Sequence, residues 1–132
     1  MFFDDLGFNN NESIFLGKSV NLNDDGYLYG NMFKDEYVPY KNYSIYKLKG
    51  GNEESSLKLK IMEESFIIND LNLYLDIYPN DIDIYQFFKK HEKLLNDYIY
   101  EYQNKYGSIC LNSQKDSYDW LNGSWPWEDS NV

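Results

Sequence analysis

Apolar residues recur at helical spacing from Leu57 to Tyr78. Leu57, Ile61, Ile68, Leu71, Leu75 and Tyr78 form one stripe, and Leu59, Met62, Phe66, Leu73 and Ile77 form a second on a neighbouring face. Asn52 follows Gly50-Gly51 and is predicted to cap this helix. Glu53 and Glu54 in its first turn suit the positive end of the helix dipole. Pro79 cannot continue the helix and disfavours helical geometry in the residue before it, so the helix ends near Tyr78. Asn80 is placed to cap a second helix, with Asp81 and Asp83 in the first turn. Its stripe is Ile84, Phe88, His91, Leu95, Tyr98 and Tyr102, and it ends at Tyr106, where Gly107 supplies a left-handed C′ position. Each helix is about 27 residues, roughly 40 Å at 1.5 Å per residue. The intervening "YPND" has room only for a turn, which predicts an antiparallel hairpin.

The flanks lack this pattern. Residues 1–51 show no sustained period; "NLNDDG" and "KGG" are turn signals, and Pro39 restrains Val38. The expected fold is mainly α: an irregular N-terminal arm over 1–51, a two-helix antiparallel hairpin over 52–107, and a Trp-rich C-terminal tail over 108–132. A two-helix core is small, and one partner helix can cover only one of the two stripes on the first helix. The arms, a second copy or another protein must cover the other.

Charge then narrows the partners. The chain has 22 acids against 12 bases and a net charge of −10, and every base is lysine. Arginine is the fork used on phosphates and base edges, and no basic patch compensates for its absence, so nucleic acid and an anionic membrane surface are disfavoured. The opening "MFFDDLGFNNNES" places Asp4 and Asp5 where a signal peptide needs lysine or arginine, and no long apolar run follows. A single cysteine, Cys110, excludes an internal disulfide and is compatible with a reducing compartment.

Candidate chemistry is sparse. His91 is the only histidine and sits on an apolar stripe, the position of a packing residue. Cys110 and His91 are one residue of each type, which is no evidence for a nucleophilic pair. The Glu-x-x-His pattern of carboxylate-bundle metal sites fails because Phe88 stands where the glutamate belongs. "GYLYG" lacks the spacing and the lysine of a phosphate loop. The acid pairs Glu53-Glu54, Glu63-Glu64 and Asp81/Asp83 read as helix-cap charge and solvated face. No catalytic residue, metal site or cofactor is expected.

Three motifs carry a family resemblance. "FIINDLNLYLDIYPND", residues 66–81, resembles the helix-to-turn run of the spore coat CotJB family through Leu73, Tyr74, Leu75, Asp76, Pro79 and Asp81. "YEYQNKYGSICL", residues 100–111, is similar to that family's Tyr-Glu…Lys-Tyr-Gly-Pro-Leu segment, and "WLNGSWPWE" is similar to its tryptophan-rich end. Ser124 stands where the family usually has proline, Tyr118 where it often has another tryptophan, and Ser108 where proline follows the glycine. The arm carries a weaker likeness to a companion family. "GYLYGNMFKDEYVPY", residues 26–40, is similar to a C-terminal motif of CotJA, matching at Gly30, Phe33, Tyr37, Pro39 and Tyr40 and departing at Asn31 and Lys34.

The resemblance implies a non-enzymatic component of the inner spore coat, made in the mother-cell cytoplasm and then placed in the coat. It implies partners among other coat proteins, including CotJA and a CotJC-like protein of the manganese-catalase family, with self-association as a further expectation. The candidate partner-binding residues are Trp120, Trp125, Pro126, Trp127, Gly30, Phe33, Pro39 and Tyr40. An alternative of another class is an adaptor for spore peptidoglycan whose tryptophans stack on sugar rings. The tail itself has two roles open: covering the hairpin's second stripe, or docking on a partner with Trp125 and Trp127 held extended by Pro126.

Overall fold

The computed structural model describes residues 21–23, 25–110 and 116–128. Residues 1–20, on which the signal-peptide reading rests, lie outside them. Among the described residues the chain is helical and carries no β-strand beyond one isolated bridge. It divides into two units, residues 1–43 and 44–132.

The first unit is a small fold of its own. A one-turn helix, α1 (Gly26–Tyr29), is followed by a 3-10 turn at Lys34–Glu36. Leu22 and Phe33 form the antiparallel bridge, flanked by Asn23 N–H donating to the Met32 carbonyl at 2.8 Å and Lys34 N–H to the Asn21 carbonyl at 3.0 Å. The loop so closed encloses Met32, which is 0% exposed. Gly26 is required there, since a Cβ would lie 2.7 Å from the Met32 Cα. Gly30 ends α1 with φ of +74°, a conformation that favours glycine. The arm is irregular, as expected, and the buried Met32 within it could not be foreseen, because a single methionine leaves no period to read.

The second unit is built on α2 (Glu53–Ile77) and α3 (Ile82–Lys105), which pack on each other. Asn52 caps α2 as expected, in a reciprocal box: its side chain accepts from Ser55 N–H at 2.8 Å, and Ser55 Oγ accepts from Asn52 N–H at 3.1 Å. The helix stops at Ile77, before Pro79. The cap of α3 is Asp81 rather than Asn80. Asp81 N–H closes a turn onto the Tyr78 carbonyl, which leaves Asp81 Oδ1 to accept from Ile84 N–H at 3.1 Å. The second helix ends at Lys105, with Gly107 at φ of +128° just beyond.

The buried stripe of α2 also differs from the one expected. Leu57, Ile67 and Leu71 are buried, whereas Ile61, Ile68, Leu75 and Tyr78 are half-buried. At 100° per residue Ile67 sits at the edge of the stripe, and the approach of α3 from that side brings it inside. Ile84 and Tyr102 face them from α3.

Candidate assembly surfaces

Polar pairs fix how the two helices meet. Near the turn, Tyr74 Oη donates to Asp81 Oδ2 at 2.8 Å. Midway, His91 Nδ1 lies 2.5 Å from Glu64 Oε2. Further along, Lys60 Nζ sits over the Tyr98 ring at 5.3 Å. Tyr102 Oη donates to Glu54 Oε1 at 2.8 Å, and Lys105 Nζ reaches Glu53 Oε1 at 2.6 Å. In each pair the position on α2 falls as the position on α3 rises, so the set forms a ladder that matches a single antiparallel register. A shift along the axis would leave several of these groups unpaired in a partly buried seam.

Glu64 overturns the reading of Glu63-Glu64 as solvated face. It is 7% exposed and lies in the seam, because its position is in line with Leu57 and Leu71 on the buried stripe. His91, whose ring meets the Phe87 ring at a tilt with centroids 4.4 Å apart, is a packing residue with a carboxylate partner. Burial, then the Asp81 carboxylate, holds the Tyr74 phenol well above its ordinary value. Burial, then Glu54, raises Tyr102 likewise. Lysine 105 is held charged by its hydrogen bonds to Glu101 and Glu53.

The helix-to-turn motif is thereby split in role. Tyr74 and Asp81 clasp the turn, and Asp81 also caps α3. Leu75 is half-buried. Leu73 and Asp76 point outward, and Leu73 is 56% exposed. Leu73 is nine residues from Glu64, which places it about 180° around the helix from the buried stripe. Met62 and Ile77 are exposed on that same outward side, with Phe66 and Leu59 half-buried beside them. The two stripes of α2 are on opposite faces rather than neighbouring ones, and α3 covers only one.

None of the tail's tryptophans is buried. Trp120, Trp125 and Trp127 are all exposed, Trp127 to 76%. The segment is a 3-10 turn at Pro126–Glu128, not an extended strand: Glu128 N–H donates to the Trp125 carbonyl at 2.9 Å, and Trp125 N–H donates to Glu128 Oε2 at 3.2 Å. Proline is favoured at the first position of such a turn, which outweighs its extended preference here. The turn stacks Trp125 on Trp127, with ring centroids 5.1 Å apart and planes 4° from parallel. Ser108 Oγ bonds Asp119 across the start of the tail.

In the first unit, Gly30 ends α1, Phe33 is half-buried at the bridge, and Pro39 and Tyr40 are exposed. Among the described residues no group of three or more His, Cys, Asp or Glu side chains could hold a metal ion. No described helix is long and apolar enough to cross a membrane.

A family model described as CotJB protein matches residues 55–128, more than half of the chain. The chain belongs to the CotJB family. The match takes in the whole hairpin from the first turn of α2, the Tyr74–Asp81 clasp and the stacked tryptophans, and leaves out the Met32 unit. Membership of CotJB assigns the chain to the spore coat and to sporulation. No curated protein and no solved structure matches it.

Proposed function

We propose that this CotJB chain is a structural assembly protein of the spore coat that binds other coat components without catalysing a reaction. The observation that carries this reading is the outward face of α2, where Met62, Leu73 and Ile77 stand exposed on a helix whose opposite side is already packed. A helix apolar on both sides is suited to the middle of an assembly, not to its surface. The stacked Trp125–Trp127 pair is the second contact, presented by a hydrogen-bonded turn that lowers the ordering cost of docking. Trp120, Gly30, Phe33, Pro39 and Tyr40 complete the set of partner-binding residues, and a CotJC-like protein is the partner that the family resemblance favours. The mother-cell cytoplasm is the place of synthesis in this reading, before incorporation into the coat.

The stacking also favours a protein partner over a glycan. Trp125 and Trp127 hide their inner faces against each other, so the pair offers less ring surface to a sugar than two separate tryptophans would. The test is the chain truncated after Ser117, expressed in sporulating cells alongside Trp125→Ala/Trp127→Ala. Both should fold normally yet be depleted from purified coats and from partner pull-downs. Normal incorporation of both would remove the tail from the mechanism, and binding of the intact chain to purified peptidoglycan, lost in the double variant, would favour the adaptor reading.

A further inference from the structure

Gly123 follows Asn122, and nowhere else in the chain does a glycine follow an asparagine. The pair lies in the tail between Trp120 and the stacked Trp125–Trp127 rings, and both residues are exposed. Asn122 ends a 3-10 turn, Trp120–Asn122, with its own N–H donating to the Asp119 carbonyl at 3.0 Å. Gly123 leaves that turn in an extended conformation, φ −78° and ψ 161°, and its N–H donates to no described carbonyl. The Asn122 side-chain amide likewise has no hydrogen-bond partner among the described residues.

Elsewhere asparagine is held differently. Asn23, Asn31 and Asn52 each use Oδ1 to accept a backbone N–H, at 3.2, 2.8 and 2.8 Å. Asn69, Asn72, Asn96 and Asn104 lie inside α2 and α3, where the next N–H is committed to the helix ladder. Each of these asparagines is also followed by a residue with a side chain. At Gly123 the space is open, and a Cβ there would meet nothing within 4 Å. The Gly123 nitrogen, unhindered by a side chain of its own, is therefore free to turn toward the Asn122 side chain.

We propose that Asn122–Gly123 is a self-modification site, at which the chain deamidates and places a carboxylate among the tail's tryptophans. The Gly123 nitrogen gives up its proton to solvent and attacks Asn122 Cγ. The bond from N to Cγ forms, the Cγ–Nδ2 bond breaks, and ammonia leaves, closing a succinimide ring. Water then opens the ring. Cleavage between N and Cγ gives aspartate. Cleavage between N and the Asn122 carbonyl carbon gives isoaspartate, whose main chain runs on through Cβ and Cγ. Water is the only co-reactant, and no electron changes hands. Either product adds a negative charge, and isoaspartate also lengthens the backbone between Trp120 and Trp125. This deepens the coat-assembly reading: a charge carried into an aromatic contact must be desolvated, so the converted tail docks less well than the new one. That consequence rests on the docking reading, whereas the chemistry does not.

The test is peptide mapping by mass spectrometry of the purified full chain held at mildly alkaline pH, with isoaspartate counted by enzymatic methyl transfer. Asn122 should convert before any other asparagine, to a mixture of aspartate and isoaspartate, at a rate that rises with hydroxide. Gly123→Ala should slow the conversion about tenfold or more, because a side chain crowds the ring closure. That variant should fold as wild type does, since φ of −78° suits alanine and its Cβ meets nothing; circular dichroism checks this. Denaturant should leave the rate at Asn122 little changed, because the site is already exposed. An Asn122 that survives while other asparagines convert, a Gly123→Ala chain that converts at the wild-type rate, or conversion only on unfolding would each overturn the proposal. The consequence for docking is read in pull-downs of coat partners with fresh and converted chains. Converted wild type should be depleted and Gly123→Ala kept for the same time should not. Converted wild type that docks like fresh chain, where Trp125→Ala/Trp127→Ala does not dock, would overturn that consequence. Normal docking of the tryptophan variant would instead remove the docking reading and leave the chemistry standing.

Discussion

The two long helices are of nearly equal length and share one interface, yet they are different kinds of helix. On α3 the side away from the seam is largely polar: Lys89, Lys93, Asn96 and Asp97 are exposed there, interrupted by Ile82, Tyr85 and Tyr100. On α2 the side away from the seam is Met62, Phe66, Leu73 and Ile77. The seam side of α2, in turn, admits a glutamate. A single-faced helix is satisfied by one neighbour, and α3 has it. A double-faced helix needs two, and within the described residues α2 has one. Among the described residues the hairpin is therefore packed on one side and keeps exposed apolar side chains on the other.

The sharpest way to break that comparison is to truncate one leucine on each face of α2. Leu71 is 0% exposed, and Leu71→Ala should cost about 2–5 kcal/mol in the purified protein. Leu73→Ala, two residues on, should change stability by no more than about 0.5 kcal/mol. Thermal or denaturant unfolding of the two variants checks this, and equal losses would mean that the outward face is covered in solution.

A somewhat smaller effect should follow at the polar rung of the seam. Glu64→Ala leaves His91 without its carboxylate in a mostly buried site and should cost about 1–3 kcal/mol. Replacing both, as Glu64→Leu/His91→Leu, should recover most of that loss while loosening the choice of register. Chemical denaturation measures the first effect, and spin-label distances between α2 and α3 would expose a mixture of registers. If the double variant keeps one sharp distance, the register is set elsewhere in the ladder.

At the turn, Tyr74→Phe removes the hydroxyl that donates to Asp81 and should cost about 1 kcal/mol near neutral pH. The phenols of Tyr74 and Tyr102 are raised above their ordinary value of 10.0, so the folded chain favours their neutral forms. Their contribution is complete below pH 10.0 and is lost as the pH rises beyond it. The advantage of wild type over Tyr74→Phe should accordingly shrink in melts taken at increasing alkalinity. A constant gap through that range would detach Tyr74 from the alkaline loss. The smallest effect is expected at the tail: truncation after Ser117 should leave the melting temperature of the free protein unchanged, since the tryptophans it removes are exposed.

Local chemistry made much of this fold legible before any coordinates. Asn52, Pro79 and Gly107 act on the residues beside them, through a side-chain acceptor for the Ser55 N–H, a missing N–H and a positive φ, so the two helices and the turn between them can be placed from the chain alone. The tryptophan-rich end was equally visible, but not its geometry. Pro126 suits an extended chain and the first position of a turn alike, and the Glu128 hydrogen bond to Trp125 N–H accompanies the second. Glu63 and Glu64 are indistinguishable in sequence. Only the approach of α3, with His91 27 positions away in the chain, takes Glu64 into the seam.

Sequence by itself determined the helix ends, the hairpin, the family and the presence of two apolar stripes, because each depends on neighbours within a turn or two of the chain. Tertiary structure alone decided which stripe of α2 is covered, which glutamate is buried, that Met32 is buried, and that the tryptophans are exposed. Those outcomes depend on groups far apart in the chain meeting at one register, and the pairs that hold that register do not exist until the helices have packed.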